Sequence, residues 1–133
     1  MPRIEWTEAF ELQIPEIDEQ HRRWVDIINE LHDSLMSHGG AHNLTERTLN
    51  EMIDYGRFHF TFEEEYLKKI GYPELAMHRS MHNAFMKDLI NKLQQERGGG
   101  LILNTEIMKV LTGWLQSHIQ IEDRKYSRFA AQT

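Results

Sequence analysis

Seven side chains that can bind a metal ion occupy positions where the core-facing side of a helix would normally carry apolar residues. They are His21, His59, Glu63, His78, His82, His118 and Asp123. One buried imidazole in a helix bundle is ordinary. Five imidazoles and two carboxylates buried together would be very costly unless a partner neutralised them. The pattern therefore predicts a pair of metal ions inside a helical protein.

Four long amphipathic patterns surround these positions and predict four helices. The helices are expected at about 18–38, 44–70, 74–96 and 104–128. Asp18 is the expected N-cap of the first, Gly71 should end the second, and Pro73 should open the third. Short loops then make an all-α, antiparallel up-down-up-down four-helix bundle. Residues 1–16, closed by Pro15, are expected to form an irregular arm, and all 133 residues to form one domain.

The composition narrows the range of partners. The net charge of -6 argues against a nucleic acid or an anionic membrane surface as partner. No apolar run approaches the roughly 20 residues that membrane insertion needs, and the first residues lack a signal-peptide pattern. We therefore expect a cytoplasmic protein, and a monomer, because no large apolar patch suggests a dimer.

The spacing of the candidate ligands favours a shared site. Residues four apart stack on one helix face, so His78 and His82 can bind one ion together, and His59 and Glu63 form a second pair. The other histidines come from the first and last helices, so every predicted helix contributes. If both carboxylates and one water oxygen bridge two octahedral ions, one coordination position stays open for a small ligand.

Donor chemistry narrows the metal. Cysteine is absent, so the donors are nitrogen and oxygen only, which suits iron, zinc, copper or manganese. Octahedral imidazole and carboxylate pairs favour iron among these. The sequence contains neither the Glu-x-x-His motif of ferritin-like proteins nor the His-Glu-x-x-His motif of zinc proteases.

The last helix offers two carboxylates that could complete the site. Asp123 follows His118 by five residues, about 140° around a regular helix, whereas Glu122 follows it by four and would stack better. A π-bulge between positions 118 and 123 would bring Asp123 round, and such bulges favour functional sites. Spacing alone selects Glu122.

The order of the motifs resembles the hemerythrin family, specifically single-domain bacterial hemerythrins. The matching stretches are Ile17-Asp-Glu-Gln-His21, His59-Phe-Thr-Phe-Glu63, His78-Arg-Ser-Met-His82 and His118-Ile-Gln-Ile-Glu-Asp123. The resemblance covers nearly the whole chain. It implies two non-haem iron ions joined by an oxo or hydroxo bridge, and reversible O2 binding at the ion with an open position.

The resemblance also assigns roles to residues. It implies that one iron is bound by His78, His82 and His118, the other by His21 and His59, and that Glu63 and Asp123 bridge both. It thereby selects Asp123 over Glu122.

Apolar residues within a turn of these ligands are candidates for the wall of an O2 pocket. They are Trp24, Phe60, Phe62, Trp114, Leu115, Ile119 and Ile121. Leu115 and Trp114 precede His118 by three and four residues and are the main candidates, whereas ordinary core packing is the better explanation of Phe60 and Ile119. Tyr66 and Tyr126 are candidate hydrogen-bond donors to the ligand carboxylates.

The leading functional hypothesis is an O2 carrier, store or delivery protein, not an enzyme. Beyond the expected metal centre, the sequence shows no catalytic acid, base or nucleophile. One alternative is an oxidase that consumes O2, peroxide or nitric oxide at the same di-iron site. That activity would need an electron donor and a protonation route. The other alternative is an O2 or redox sensor or an iron-handling module. The expected partners are O2 itself and an O2-consuming enzyme or electron donor.

Overall fold

The computed structural model describes residues 4–37, 42–97 and 105–132, and every regular element within these ranges is helical. A 3-10 turn at Glu8–Phe10 precedes α1 (Pro15–Ser37), α2 (His42–Ile70) and α3 (Leu75–Arg97). The last helix has three consecutive parts, α4 (Thr105–Ser117), a π-helical segment (His118–Asp123) and α5 (Arg124–Ala131). The predicted all-α four-helix bundle is confirmed.

The first helix begins earlier than predicted. It starts at Pro15, whose fixed φ and missing N–H suit the first helical position. Asp18 therefore lies inside the helix, and its prediction as N-cap was wrong. Its Oδ1 atom instead accepts a hydrogen bond of 2.9 Å from the backbone N–H of Leu12. This bond ties the N-terminal arm to α1.

The turn between α2 and α3 is set by one glycine. Gly71 has φ of +72°, a conformation that side chains with a Cβ rarely adopt. Its N–H donates to the Lys68 carbonyl at 3.1 Å, and the Tyr72 N–H donates to the Leu67 carbonyl at 2.9 Å. These are the two bonds of a Schellman motif, so Gly71 ends α2 as predicted. Pro73 lies in the turn instead of opening α3, which begins at Leu75.

The N-terminal arm is hydrogen-bonded to both α1 and α5. The backbone N–H and carbonyl of Ile4 both bond to the side-chain amide of Asn29 in α1, at 2.9 Å each. Further along, Arg124 Nη2 donates to the Ala9 carbonyl, and Ser127 Oγ donates to the Leu12 carbonyl, at 2.6 Å each. The arm thus joins α1 to α5, next to the π-helical segment.

Two predictions about core positions were wrong. Phe62 and Ile121 were expected to face inward, but their exposed fractions are 37% and 57%. Phe62 lies at the edge of the stripe that His59 and Glu63 define on α2. Ile121 lies in the π-helical segment, where the wider turn carries it to the outer side. Neither can be part of a buried pocket wall.

The two glycines inside helices differ in their surroundings. A Cβ on Gly56 would lie 3.1 Å from Met86 Sδ and 3.4 Å from Trp24 Cζ2, so close helix packing accounts for Gly56. A Cβ on Gly113 would meet nothing within 4 Å, and packing does not explain that glycine. Among the described residues, no helix is long and apolar enough to cross a membrane.

Candidate metal centre

The bundle brings all seven candidate ligands together in its interior. α1 contributes one, α2 two, α3 two and the π-helical segment two: His21; His59 and Glu63; His78 and His82; His118 and Asp123. None of the seven is more than 3% exposed. The histidines form two groups, which we call the three-histidine group (His78, His82 and His118) and the two-histidine group (His21 and His59).

Glu63 lies between the two groups and divides its oxygens between them. Oε1 lies 2.8 Å from His78 Nε2 and 3.0 Å from His82 Nε2. Oε2 lies 3.1 Å from His59 Nε2 and 3.5 Å from His21 Nε2. One carboxylate thus faces both groups of imidazole nitrogens.

Asp123 also places one carboxylate oxygen near each histidine group. Its Oδ1 atom lies 2.9 Å from His78 Nε2 and 3.0 Å from His118 Nε2. Its Oδ2 atom lies 3.3 Å from His21 Nε2. Both oxygens are buried, and although imidazole nitrogens lie within hydrogen-bonding distance, neither oxygen receives a well-aligned hydrogen bond from a described residue. Oxygens in this situation need a cation.

The π-helical segment explains why Asp123 reaches the interior. It spans His118 to Asp123, and its i to i+5 hydrogen bonding brings residues five apart onto one face. Glu122 points outward instead, and its carboxylate lies 3.1 Å from Lys125 Nζ at the surface. The choice of Glu122 by spacing alone was therefore wrong, because it assumed a regular α-helix.

Two polar side chains that the sequence reasoning missed support the ligand histidines. Glu64 Oε2 lies 2.8 Å from His82 Nδ1, and its other oxygen accepts a hydrogen bond of 3.1 Å from Arg79 Nε. Gln20 Oε1 lies 2.8 Å from His59 Nδ1. An acceptor at Nδ1 holds the proton there and leaves the Nε2 lone pair free for a metal ion.

The only sequence signal for this pair is adjacency. Gln20 precedes His21 and Glu64 follows Glu63. Each supports a histidine on a different helix, however, so the contacts depend on the helix pairing.

Tyr126 closes the centre on the side of α5. Its side chain is fully buried, and its hydroxyl donates a hydrogen bond of 3.1 Å to Glu63 Oε2. Tyr126 therefore donates to a candidate ligand carboxylate, as the sequence suggested. The ring of Tyr66 lies 6.1 Å from the ring of Tyr126. No bond from Tyr66 to a carboxylate is seen among the described residues.

Aromatic rings also pack against two of the ligand histidines. Phe60 stacks on His82 with ring centroids 3.7 Å apart, and Trp114 stacks on His118 at 4.3 Å. Phe85, which was not among the predicted wall residues, stacks on Trp114 at 3.8 Å. These rings fix the orientation of the imidazoles from outside.

Aliphatic and indole side chains complete the apolar cover. Leu115 and Ile119 lie one turn apart in the last helix, and each is 1% exposed. The Trp24 ring lies 5.6 Å from the His59 ring. Five of the seven predicted wall residues belong to or pack against one apolar cluster: Trp24, Phe60, Trp114, Leu115 and Ile119.

Electrostatics couple the histidines to the carboxylates. Burial lowers the pKa of His21 and His78, but the nearby Asp123 and Glu63 outweigh it and raise both pKa values to about 9. The same competition raises the pKa of His118 to about 10. Burial opposes ionisation of Glu63 and Asp123, yet the surrounding imidazoles hold the pKa of both well below the usual range. The carboxylates are thus anionic at neutral pH.

The donor set fits a pair of metal ions. Donor atoms of Glu63 and the three-histidine group all lie within 4.8 Å of one another, and those of Glu63 and the two-histidine group form a second such set. The fold and the site together define a helical-bundle protein with a buried histidine and carboxylate centre for two cations.

Comparison with known proteins supplies the family. The family model described as Hemerythrin HHE cation binding domain matches residues 12–130. A bacteriohemerythrin of Stenotrophomonas maltophilia is 32% identical over 96% of this chain and 81% of its own length. A myohemerythrin of Theromyzon tessulatum is 30% identical over 92% of this chain and 89% of its own. The chain therefore belongs to the hemerythrin family, and the resemblance seen in the sequence is confirmed.

Solved structures show the same fold. A crystal structure of wild-type hemerythrin superposes with a TM-score of 0.88 at 27% identity. The match covers 96% of this chain and 97% of the other.

The raised histidine pKa values predict how the metal-free protein responds to pH. A histidine whose pKa rises from 6.5 in the unfolded chain to about 9 or 10 in the folded one stabilises the fold fully below pH 6.5. That contribution is lost as pH rises through 9 to 10. We expect the free energy of unfolding of chelator-treated protein to fall between pH 7 and 9.5, as measured by urea denaturation.

A matched variant tests whether the carboxylates cause this pH dependence of stability. Asp123→Asn removes one charge that raises these pKa values and should flatten the dependence. A metal-free wild type whose stability rose or stayed constant over this range would contradict the electrostatic account. With metal bound, the free energy of unfolding should instead decrease as the pH is lowered, because a metal ion binds the neutral imidazole and protons compete with it.

Proposed function

We propose that this protein binds O2 reversibly at a non-haem di-iron centre. In this proposal the three-histidine group binds one iron, the two-histidine group binds the other, and Glu63 and Asp123 bridge them. The observation that carries the proposal is the division of each carboxylate, with one oxygen facing each histidine group.

The unequal groups support an open position. Both ions would share the two bridging carboxylates, so the ion at the two-histidine group has one protein ligand fewer. That ion is the place for a small ligand to bind. Bound ferrous iron supplies the electrons that O2 binding needs.

Iron is favoured over other metals by the donor set and by the family. All donors are imidazole nitrogens or carboxylate oxygens, and the chain has no thiolate. Imidazoles are neutral ligands, and five of them against two carboxylates stabilise the ferrous state. The acceptors on His82 and His59 keep these rings oriented during ligand exchange.

The apolar cover supports release of O2 over its consumption. Leu115 and Ile119 are each 1% exposed, and Phe60 and Trp114 stack on the rings of His82 and His118, so apolar side chains cover this part of the centre. Water and protons that would convert bound O2 into a leaving product are therefore kept out. This favours a carrier or storage protein over an oxidase, which would need a protonation route through the same wall.

The direct test is a cycle of O2 addition and removal. Metal-free protein would be loaded anaerobically with ferrous iron, exposed to O2, and returned to an inert atmosphere while visible absorption is recorded. We expect a band that appears with O2 and disappears when O2 is removed, over several cycles. A ferric spectrum that persists after one exposure would contradict reversible binding and favour an oxidase or a sensor.

The pocket wall gives a second prediction. Leu115→Ala should speed oxidation to the ferric state, because a smaller side chain admits water next to the centre. The rate should rise roughly tenfold, which corresponds to about 1.4 kcal/mol in the barrier. The measurement is the decay of the oxygenated spectrum.

Leu111→Ala is the matched control for Leu115→Ala. Leu111 is also fully buried but lies one turn further from His118. Its replacement should cost a similar amount of stability, on the order of 2–5 kcal/mol, without the same effect on oxidation. Equal oxidation rates in the two variants would assign Leu115 to ordinary core packing.

A further inference from the structure

The outer face of α2 carries exposed aromatic side chains away from the metal centre. Phe58 and Phe62 lie one turn apart, with exposed fractions of 56% and 37%. Together with Arg57, Thr61 and Glu65 they line a shallow depression on the protein surface. Two adjacent exposed phenylalanines are unusual on a surface helix and suggest a contact.

Four charged residues on this face follow a pattern that reads the same in reverse with the signs exchanged; Lys69, which also lines the depression, lies outside this pattern. Asp54, Arg57, Thr61, Glu65 and Lys68 are spaced by three, four, four and three residues, and all are exposed. The charges run negative, positive, neutral, negative and positive. Within the described part of the chain, no ion pair involves any of the four charged side chains.

We propose that this face, which we call the α2 face (residues 54–68), binds the α2 face of a second copy of the chain. The two helices would run antiparallel, with a two-fold axis near Thr61. Asp54 of each copy would then lie opposite Lys68 of the other, and Arg57 opposite Glu65. The symmetry repeats both pairs, which gives four intermolecular ion pairs.

Charge order is what identifies the second copy as the occupant. A partner recognised mainly through charge would meet a patch of one sign, but here the signs alternate. An antiparallel copy presents the opposite sign at each of the four charged positions. Phe58 and Phe62 would supply apolar area beside the ion pairs, since exposed ion pairs alone contribute little.

The expected dimer is weak. One helix face of about four turns buries less than the roughly 1,200 Å² typical of stable complexes, so association belongs to the transient class. Such a dimer would replace the monomer expected from the sequence. It does not depend on the metal, because the seven ligand side chains point into the bundle.

The test is charge reversal followed by sedimentation at physiological ionic strength. We expect wild-type protein to pass from monomer towards dimer as its concentration rises into the millimolar range. Arg57→Glu and Glu65→Arg should each weaken association roughly tenfold or more, because each places like charges opposite one another. The double variant, and an equimolar mixture of the two single variants, should recover association, because opposite charges again face each other.

Two further variants test whether association depends on the α2 face or on any exposed apolar side chain. Phe58→Ser should weaken association. Met77→Ser should not, because Met77 is similarly exposed, at 62%, but lies on α3. Circular dichroism would show that each variant folds. Wild-type protein that stays monomeric at millimolar concentration, or single and double charge variants that associate equally, would overturn the proposal.

Discussion

Burial of seven ionisable side chains in one small core is the constraint on which this structure depends. Charged groups are far more stable in water than in a protein interior, so each must find a compensating partner. The imidazoles and carboxylates compensate one another only in part: Asp123 and Glu63 raise the pKa of His21, but neither oxygen of Asp123 receives a well-aligned hydrogen bond from a described residue. Metal ions bound at the proposed centre would complete the compensation and would link the folded state to metal binding.

Several side chains around the centre hold the ligand residues in position. Glu64 and Gln20 are hydrogen-bonded to the Nδ1 atoms of His82 and His59. The Tyr126 hydroxyl donates a hydrogen bond to Glu63 Oε2. Arg124, the first residue after the π-helical segment, ties the arm to the last helix. The arm therefore braces the part of the helix whose geometry is least regular.

Helical periodicity predicted the four helices and placed six of the seven candidate ligands on inward faces. It failed at the π-helical segment, where the backbone is not a regular α-helix. There, periodicity selected Glu122 as a ligand and predicted that Ile121 faces inward. The family resemblance, not the spacing, selected Asp123. Contacts between helices, such as Glu64 with His82, could not be predicted because they depend on how the helices pair. The early start of α1 at Pro15 was missed because Asp18 resembled an N-cap.

The iron content of two neighbouring carboxylate variants tests the central claim most directly. If the π-helical segment places Asp123 between two ions, Asp123→Asn should lose iron while Glu122→Gln keeps about two ions per chain, as wild-type protein should. The measurement is iron per folded chain after anaerobic loading and removal of free metal. Loss of iron from Glu122→Gln with retention in Asp123→Asn would contradict the proposed centre.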